Sequence, residues 1–174
     1  MFYKITNKDS ELYKTLYELR TGELEIEKQN EEAVNRLVGD DWTCFVGYNG
    51  QQNNFRCTQY HGFEFKHPEN LPPKTWKLDP KFADKGVYIP DKRTKNGRRI
   101  AEALNNLPHS SIFKVFSILE CELNGCFAYP YIEICENGAI VVYMSDKYDL
   151  ENKFADLTEI TQKEFYKLQE GGAE

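Results

Sequence analysis

The chain has 174 residues, of which 40% are hydrophobic and 14% aromatic, and a formal net charge of −6. A chain of that length suits one domain, or one with an appendage, and buries about 70% of its unfolded surface without disulfides or metal; the composition excludes a disordered chain. No apolar run approaches the ~18 residues of a membrane span, and an acidic protein is a poor match for non-specific duplex binding, where phosphate contacts dominate affinity.

In chain order, Phe2-Tyr3-Lys4-Ile5 alternates as an opening strand. Asp9 or Ser10 then caps a helix whose apolar stripe is Leu12, Leu16 and Leu19. Carried through Thr21-Gly22, the same 4-3 spacing continues over Glu23, Ile26, Asn30, Ala33 and Leu37. That gives two readings of residues 1–38. Two helices broken near Gly22 and packed on their own sheet is the plainer one, because Glu23 interrupts the seam. A protruding rod that forms a homodimer, with Asn30 setting the register, is the other.

Gly39-Asp40-Asp41 ends the helical region, and Trp42–Val46, Phe55–Tyr60 and Gly62–Phe65 read as strands rich in aromatic and β-branched residues. Residues 66–91 hold five prolines and no sustained period, with a short strand at Gly86–Ile89 and with Trp76 and Phe82 tacking the excursion to the body. A helix is predicted from about Gly97 to Leu107, and Pro108 stops it. His109-Ser110-Ser111 caps another, carrying Ile112, Val115, Phe116 and Leu119, and Asn124-Gly125 makes a turn. Ala128–Ile134 and Ala139–Met144 form a central hairpin about Glu136-Asn137-Gly138. Leu157–Ile160 is an edge strand, and Thr161-Gln162-Lys163-Glu164 is a capping box for a last helix facing inward through Phe165 and Leu168. Hairpins outnumber crossovers, so the fold class is α+β: a mainly antiparallel sheet covered by helices, with residues 1–174 as one domain.

Charge is unevenly spread. Residues 9–41 carry ten acids and four bases, residues 133–174 again ten and four, whereas residues 42–132 carry twelve bases and eight acids. Such asymmetry steers a charged partner toward one face. The densest basic run is Lys92, Arg93, Lys95, Arg98 and Arg99, five of the 22 basic residues within eight positions. Cations crowding a helix start oppose its dipole, and a bound anion would relieve the conflict. The run lacks the glycine spacing and the Lys-Ser/Thr ending of a Walker loop.

An amide loop, Gln51, Gln52, Asn53 and Asn54, flanked by Tyr48 and Arg56, offers donors and acceptors to a polar ligand; a solvated turn explains it as well. Tyr48, Tyr60 or Trp76 would stack a base if the ligand were a nucleotide. Asp40 or Asp41 with Glu64-Phe65-Lys66 resembles the carboxylate and Glu-x-Lys arrangement of one Mg²⁺-dependent nuclease superfamily, with Glu64 and Lys66 on one strand face; Asp41 sits at the start of its strand rather than late in the adjacent one, and a solvent-facing strand edge is the usual explanation. His61, His67 and His109 form no metal motif, so no cofactor or metal is implied. The five cysteines, Cys44, Cys57, Cys121, Cys126 and Cys135, are odd in number and lack a CxxC pair. With no signal peptide evident, reduced, buried thiols in a cytoplasmic protein are expected. Glu133, Glu136, Asp146 and Asp149 flank the hairpin as a solvated acidic end, or as a mimic of nucleic acid.

The run Trp42 to Phe65, with Gly47-Tyr48-Asn49-Gly50-Gln51-Gln52 and Cys57-x-Gln59-Tyr60, resembles a family of small proteins encoded by bacteriophages and prophages. The likeness extends into Lys95-x-Gly97-Arg98 and the helix after it. It carries over no catalytic residues. What it implies is a phage-versus-host role inside the host cytoplasm, in which a small acidic protein binds and blocks a host defence complex. Three functions therefore stand at this level: a non-enzymatic inhibitor of a host protein, a binder of a small anionic ligand such as a signalling nucleotide, and a Mg²⁺-dependent nuclease.

Overall fold

The computed structural model describes residues 1–47, 52–53, 60–108, 110–121, 131–144, 150 and 153–171. In chain order the elements are β1 (Phe2–Ile5), α1 (Glu11–Val38), β2 (Trp42–Gly47), β3 (Gln52–Asn53), β4 (Tyr60–Phe65), β5 (Trp76–Leu78), β6 (Tyr88–Pro90), α2 (Lys95–Asn105), α3 (Lys114–Ile118), β7 (Tyr131–Ile134), β8 (Ile140–Tyr143), β9 (Thr158–Ile160) and α4 (Gln162–Gln169). The fold is α+β, and its described strand pairs are antiparallel. There are two sheets rather than one, of order β7-β8-β1-β9 and β3-β2-β4-β6-β5. They belong to two compact units: Met1–Glu23 with Ser111–Glu174, and Leu24–Ser110.

Helix α1 is continuous across Gly22. A Cβ at Gly22 would meet nothing within 4 Å, so the glycine costs only its propensity, about 1 kcal/mol against Ala, in a helix of 28 residues. The inward seam is Tyr13, Leu16, Arg20, Glu23, Asn30 and Val34, with Glu27 half-buried between them. It is rotated from the predicted stripe, whose Leu12, Leu19, Ile26 and Ala33 flank it half-buried. The middle of the seam is polar, and Arg20, Glu23 and Asn30 each make a fixed hydrogen bond there. Arg20 donates from Nε and Nη2 to the two carboxylate oxygens of Glu133 at 3.3 and 3.1 Å. Glu23, fully buried, accepts the N–H and the hydroxyl of Ser111, each at 2.6 Å. Asn30, also fully buried, donates to the Pro108 carbonyl at 3.1 Å. Its amide nitrogen is thus used inside its own chain. Gly39, at φ +88°, closes the helix by donating to the Asn35 carbonyl.

In the first unit, β8 is buried on both faces. Ile140 and Val142 join Tyr3, Ile5, Ile132, Tyr13, Leu16 and the α3 residues Val115 and Phe116 in one core. Val141 points the other way, to Ile160, Phe165 and Leu168 of β9 and α4. The predicted hairpin and edge strand are thus present, although β7 closes the described end of its sheet instead of lying centrally. Thr161 caps α4 by accepting the Glu164 N–H, and Glu164 pairs with Lys4 at 2.9 Å.

In the second unit, one sheet face packs Phe45, Phe63 and Phe65 against Val34 of α1 and Ile100, Leu104 and Leu107 of α2. The excursion holds two strands: β6 near the predicted segment and β5, which lies against it. Trp76 of β5 meets Phe63 and Phe65 edge-on at 5.9 and 5.2 Å between ring centroids. Phe82 packs with Val87 and Cys44 on the opposite face. The predicted strand Phe55–Tyr60 and the turn Asn124-Gly125 lie outside the described residues, the Tyr60 backbone excepted.

Glu23→Ala removes the acceptor of two Ser111 donors at a buried position. The expected loss is about 2–4 kcal/mol, read from urea denaturation as a lower midpoint at unchanged slope. A loss below about 0.5 kcal/mol, the scale of ordinary surface substitutions, would contradict the assignment.

Candidate functional site: a locked basic turn

The basic run forms the connection from β6 into α2, and backbone groups build it. The Asp91 N–H donates to the Thr75 carbonyl at 2.7 Å. The Asp91 carbonyl accepts both the N–H and the hydroxyl of Thr94, each at 2.9 Å. Thr94 in turn caps α2, its hydroxyl accepting the Gly97 N–H at 3.0 Å. A Cβ at Gly97 would lie 2.1 Å from the Asp91 carbonyl oxygen and 2.6 Å from its carbon, so only glycine lets these two backbones close.

Asp91 is buried, and its carboxylate faces the turn. Oδ1 accepts the Arg93 N–H at 3.1 Å and Nε at 2.9 Å, while Oδ2 accepts Nη2 at 2.8 Å. Hydrogen bonding from the Arg93 side chain holds the carboxyl down at about 2, with help from the Arg93 N–H and from the charges of Arg93 and Lys77. Arg98 donates from Nη1 to the carbonyls of Lys92 and Arg93 at 3.2 and 3.4 Å. Arg99 grips the Asn96 side-chain oxygen Oδ1 at 3.2 and 3.0 Å, and the Asn96 Nδ2 donates to Thr75 Oγ1 at 3.1 Å. All five basic residues are nevertheless exposed. The result is a cationic knuckle on a rigid frame.

Helix α2 begins two residues before its predicted start, because Thr94 supplies the cap; a Thr three residues ahead of Gly97 was the available signal. The cap also takes the Gly97 N–H that an anion at the helix start would have used. Beside the turn lies an open groove of about 360 Å³, lined by Lys92, Arg98, Ala101, Glu102, Asn105 and Asn106.

The other candidates are placed differently. Trp76 is committed to the aromatic core, its strand leading back to Thr75 beneath the turn. Tyr48, Gln51 and Arg56 lie outside the described residues, as do the side chains of Gln52, Asn53 and Tyr60; Gln52 and Asn53 pair with Val46 and Phe45 as β3. Asp41 closes the end of the β2–β4 pair: its Oδ2 accepts the His67 N–H at 2.8 Å and its carbonyl the Lys66 N–H at 2.9 Å. Glu64 sits opposite Cys44. Among the described residues no three His, Cys, Asp or Glu side chains are grouped to hold a metal ion. Burial pushes the Cys44 thiol up to about 11, with the nearby Glu64 adding to the rise, and raises Cys121 and Cys135. Each shift lowers the share of reactive thiolate. Within the acidic end, Glu133 is half-buried and bonded to Arg20, whereas Glu136 is exposed; Asp146 and Asp149 lie outside the described residues.

No family model, curated protein or solved structure matches this chain. Among the described residues, no helix is long and apolar enough to cross a membrane.

Two substitutions test the frame. Gly97→Ala forces a backbone overlap, so the expected outcome is a melting temperature lowered by several degrees, about 2 kcal/mol or more in stability; an unchanged melting temperature would refute the close approach. Asp91→Asn tests the ion pair by pH. The carboxyl is lowered in the folded chain, so its stabilisation is complete above the ordinary carboxylate range, about pH 4, and fades as pH falls from there toward 2. The melting-temperature gap between natural chain and variant should be steady from about pH 7 to 5 and shrink in that acid window; a gap that widens on acidification contradicts the pairing.

Proposed function

We propose that the protein is a binding protein of the phage or prophage type, acting in the host cytoplasm by occupying an acidic surface on a host protein and so inhibiting or modulating it. One observation carries this reading: the basic residues of the turn Lys92–Arg99 are exposed while their backbone is locked through Asp91, Thr94 and Gly97. A surface ordered before contact loses little conformational freedom on binding, so more of its interaction energy appears as affinity. Arginines held by carbonyl and amide oxygens keep their charge and present it in a fixed direction, which suits carboxylates on a partner. The net charge of −6 makes duplex nucleic acid a poor alternative partner. The resemblance to phage and prophage proteins supports the host setting.

A second reading has the groove beside Lys92 and Arg98 taking a small anion such as a signalling nucleotide. Glu102 in its lining opposes a polyphosphate, which is why the protein-surface reading is preferred.

The decisive experiment is affinity capture from host lysate with the natural chain and with a Lys92→Glu, Arg98→Glu, Arg99→Glu variant of unchanged circular dichroism. A stoichiometric host protein held by the natural chain, weakened by salt and lost with the variant, is expected. A partner retained equally by both overturns the basic surface. An empty capture, with inorganic phosphate or ATP raising the melting temperature and Arg98→Ala abolishing that rise, moves the assignment to the small anion.

A further inference from the structure

The first unit has a concavity of its own, chemically unlike the basic turn. The register pairs Phe2 with Tyr143 and Tyr143 with Tyr131, so three aromatic side chains stand in one cross-strand row on the β1–β8–β7 face toward α4. Helix α4 covers this row incompletely. Phe165 reaches Phe2 and Tyr131, at 4.8 and 5.8 Å between centroids, yet all three row residues stay half-buried. A groove of about 420 Å³ remains, floored by the row and Phe165 and rimmed by Gln162, Gln169 and the exposed Tyr166.

Two features distinguish this groove from a loosely packed edge. Its polar rim is held from behind. The Gln169 amide donates to the Tyr131 hydroxyl at 2.6 Å, that hydroxyl lies 3.5 Å from Glu133 Oε2, and Glu133 is clamped by the buried Arg20. One Gln169 N–H is thus used to fix the plane of the group, and its carbonyl oxygen and second N–H are oriented by that bond. Among the described residues the lining carries no charged side chain, and the neighbouring cation Lys4 is neutralised by Glu164 at 2.9 Å.

We infer that this groove binds a neutral planar heterocycle with amide-type donors and acceptors along its edge, of the nucleobase class. The aromatic floor supplies stacking, which every base face accepts. Gln162 and Gln169 each offer a donor and an acceptor, the complement of such an edge. The volume falls within the range of small-ligand sites. The lack of a cation among the described lining residues favours the nucleoside over its phosphates.

The test is a titration of the full chain, isotope-labelled for NMR, with adenosine, guanosine, cytidine and uridine, and with AMP as the charged control. At least one nucleoside should shift the Gln169 side-chain amide and the Tyr131 ring saturably, and AMP should bind more weakly than adenosine if adenosine is the ligand. Gln169→Leu, which keeps the volume but removes the amide, should weaken binding about tenfold. Tyr131→Phe, which keeps the ring but frees Gln169, should weaken it about threefold at an unchanged melting temperature. Saturable shifts from none of the four nucleosides up to their solubility limits overturn the proposal, and so does binding that Gln169→Leu leaves unchanged.

Discussion

The carboxylate of Glu23, buried against the N–H and hydroxyl of Ser111, is the interaction on which the described architecture depends. Taking a carboxylate out of water costs several kcal/mol unless donors meet it in good geometry. A helix that carries such a group inward can sit at only one rotation and one axial position. Arg20 and Asn30 repeat the constraint a turn before and two turns after, through Glu133 and Pro108. Apolar residues would let the same helix slide between near-equivalent packings. The polar seam instead trades some raw stability for a single register, as buried polar groups do in helical seams.

The basic turn is fixed by a different means. Its frame is made of backbone contacts, with Gly97 against Asp91 and Thr94 bridging them, and Arg98 and Arg99 fold back onto that frame. Arg93 illustrates the division: its guanidinium closes on a buried carboxylate while most of the side chain remains in solvent. The aromatic groove works the other way round, with side chains as both floor and support and the backbone supplying only the register.

Alternating or apolar runs flanked by turn residues made β1, β2, β8 and α4 readable from sequence, because local pattern and burial agree there. Helix α1 was left with two readings at Gly22 and Glu23 for a physical reason: a charged residue on an inward position breaks the apolar pattern unless its partner is known, and Ser111 is distant in sequence. The three-residue strand β5 has too few positions to show a period. The Thr94 cap went unread because the five cations around it dominate the local pattern. The aromatic row could not be seen in advance, since Phe2, Tyr131 and Tyr143 meet only through pairings between remote strands.

The order in which the two units occur along the chain has a consequence for biosynthesis. The second unit is one uninterrupted stretch, whereas the first is assembled from both ends of the sequence. Translation delivers β1 first and its neighbours β8 and β9 last. A nascent chain paused just beyond Ser110 already holds all of the inserted unit, while β1 still lacks both neighbouring strands. Domains fold as units as they emerge, and long-range strand pairing is slow. The inserted stretch Leu24–Ser110 therefore has its full complement of strands and helices before the N-terminal strand meets either neighbour.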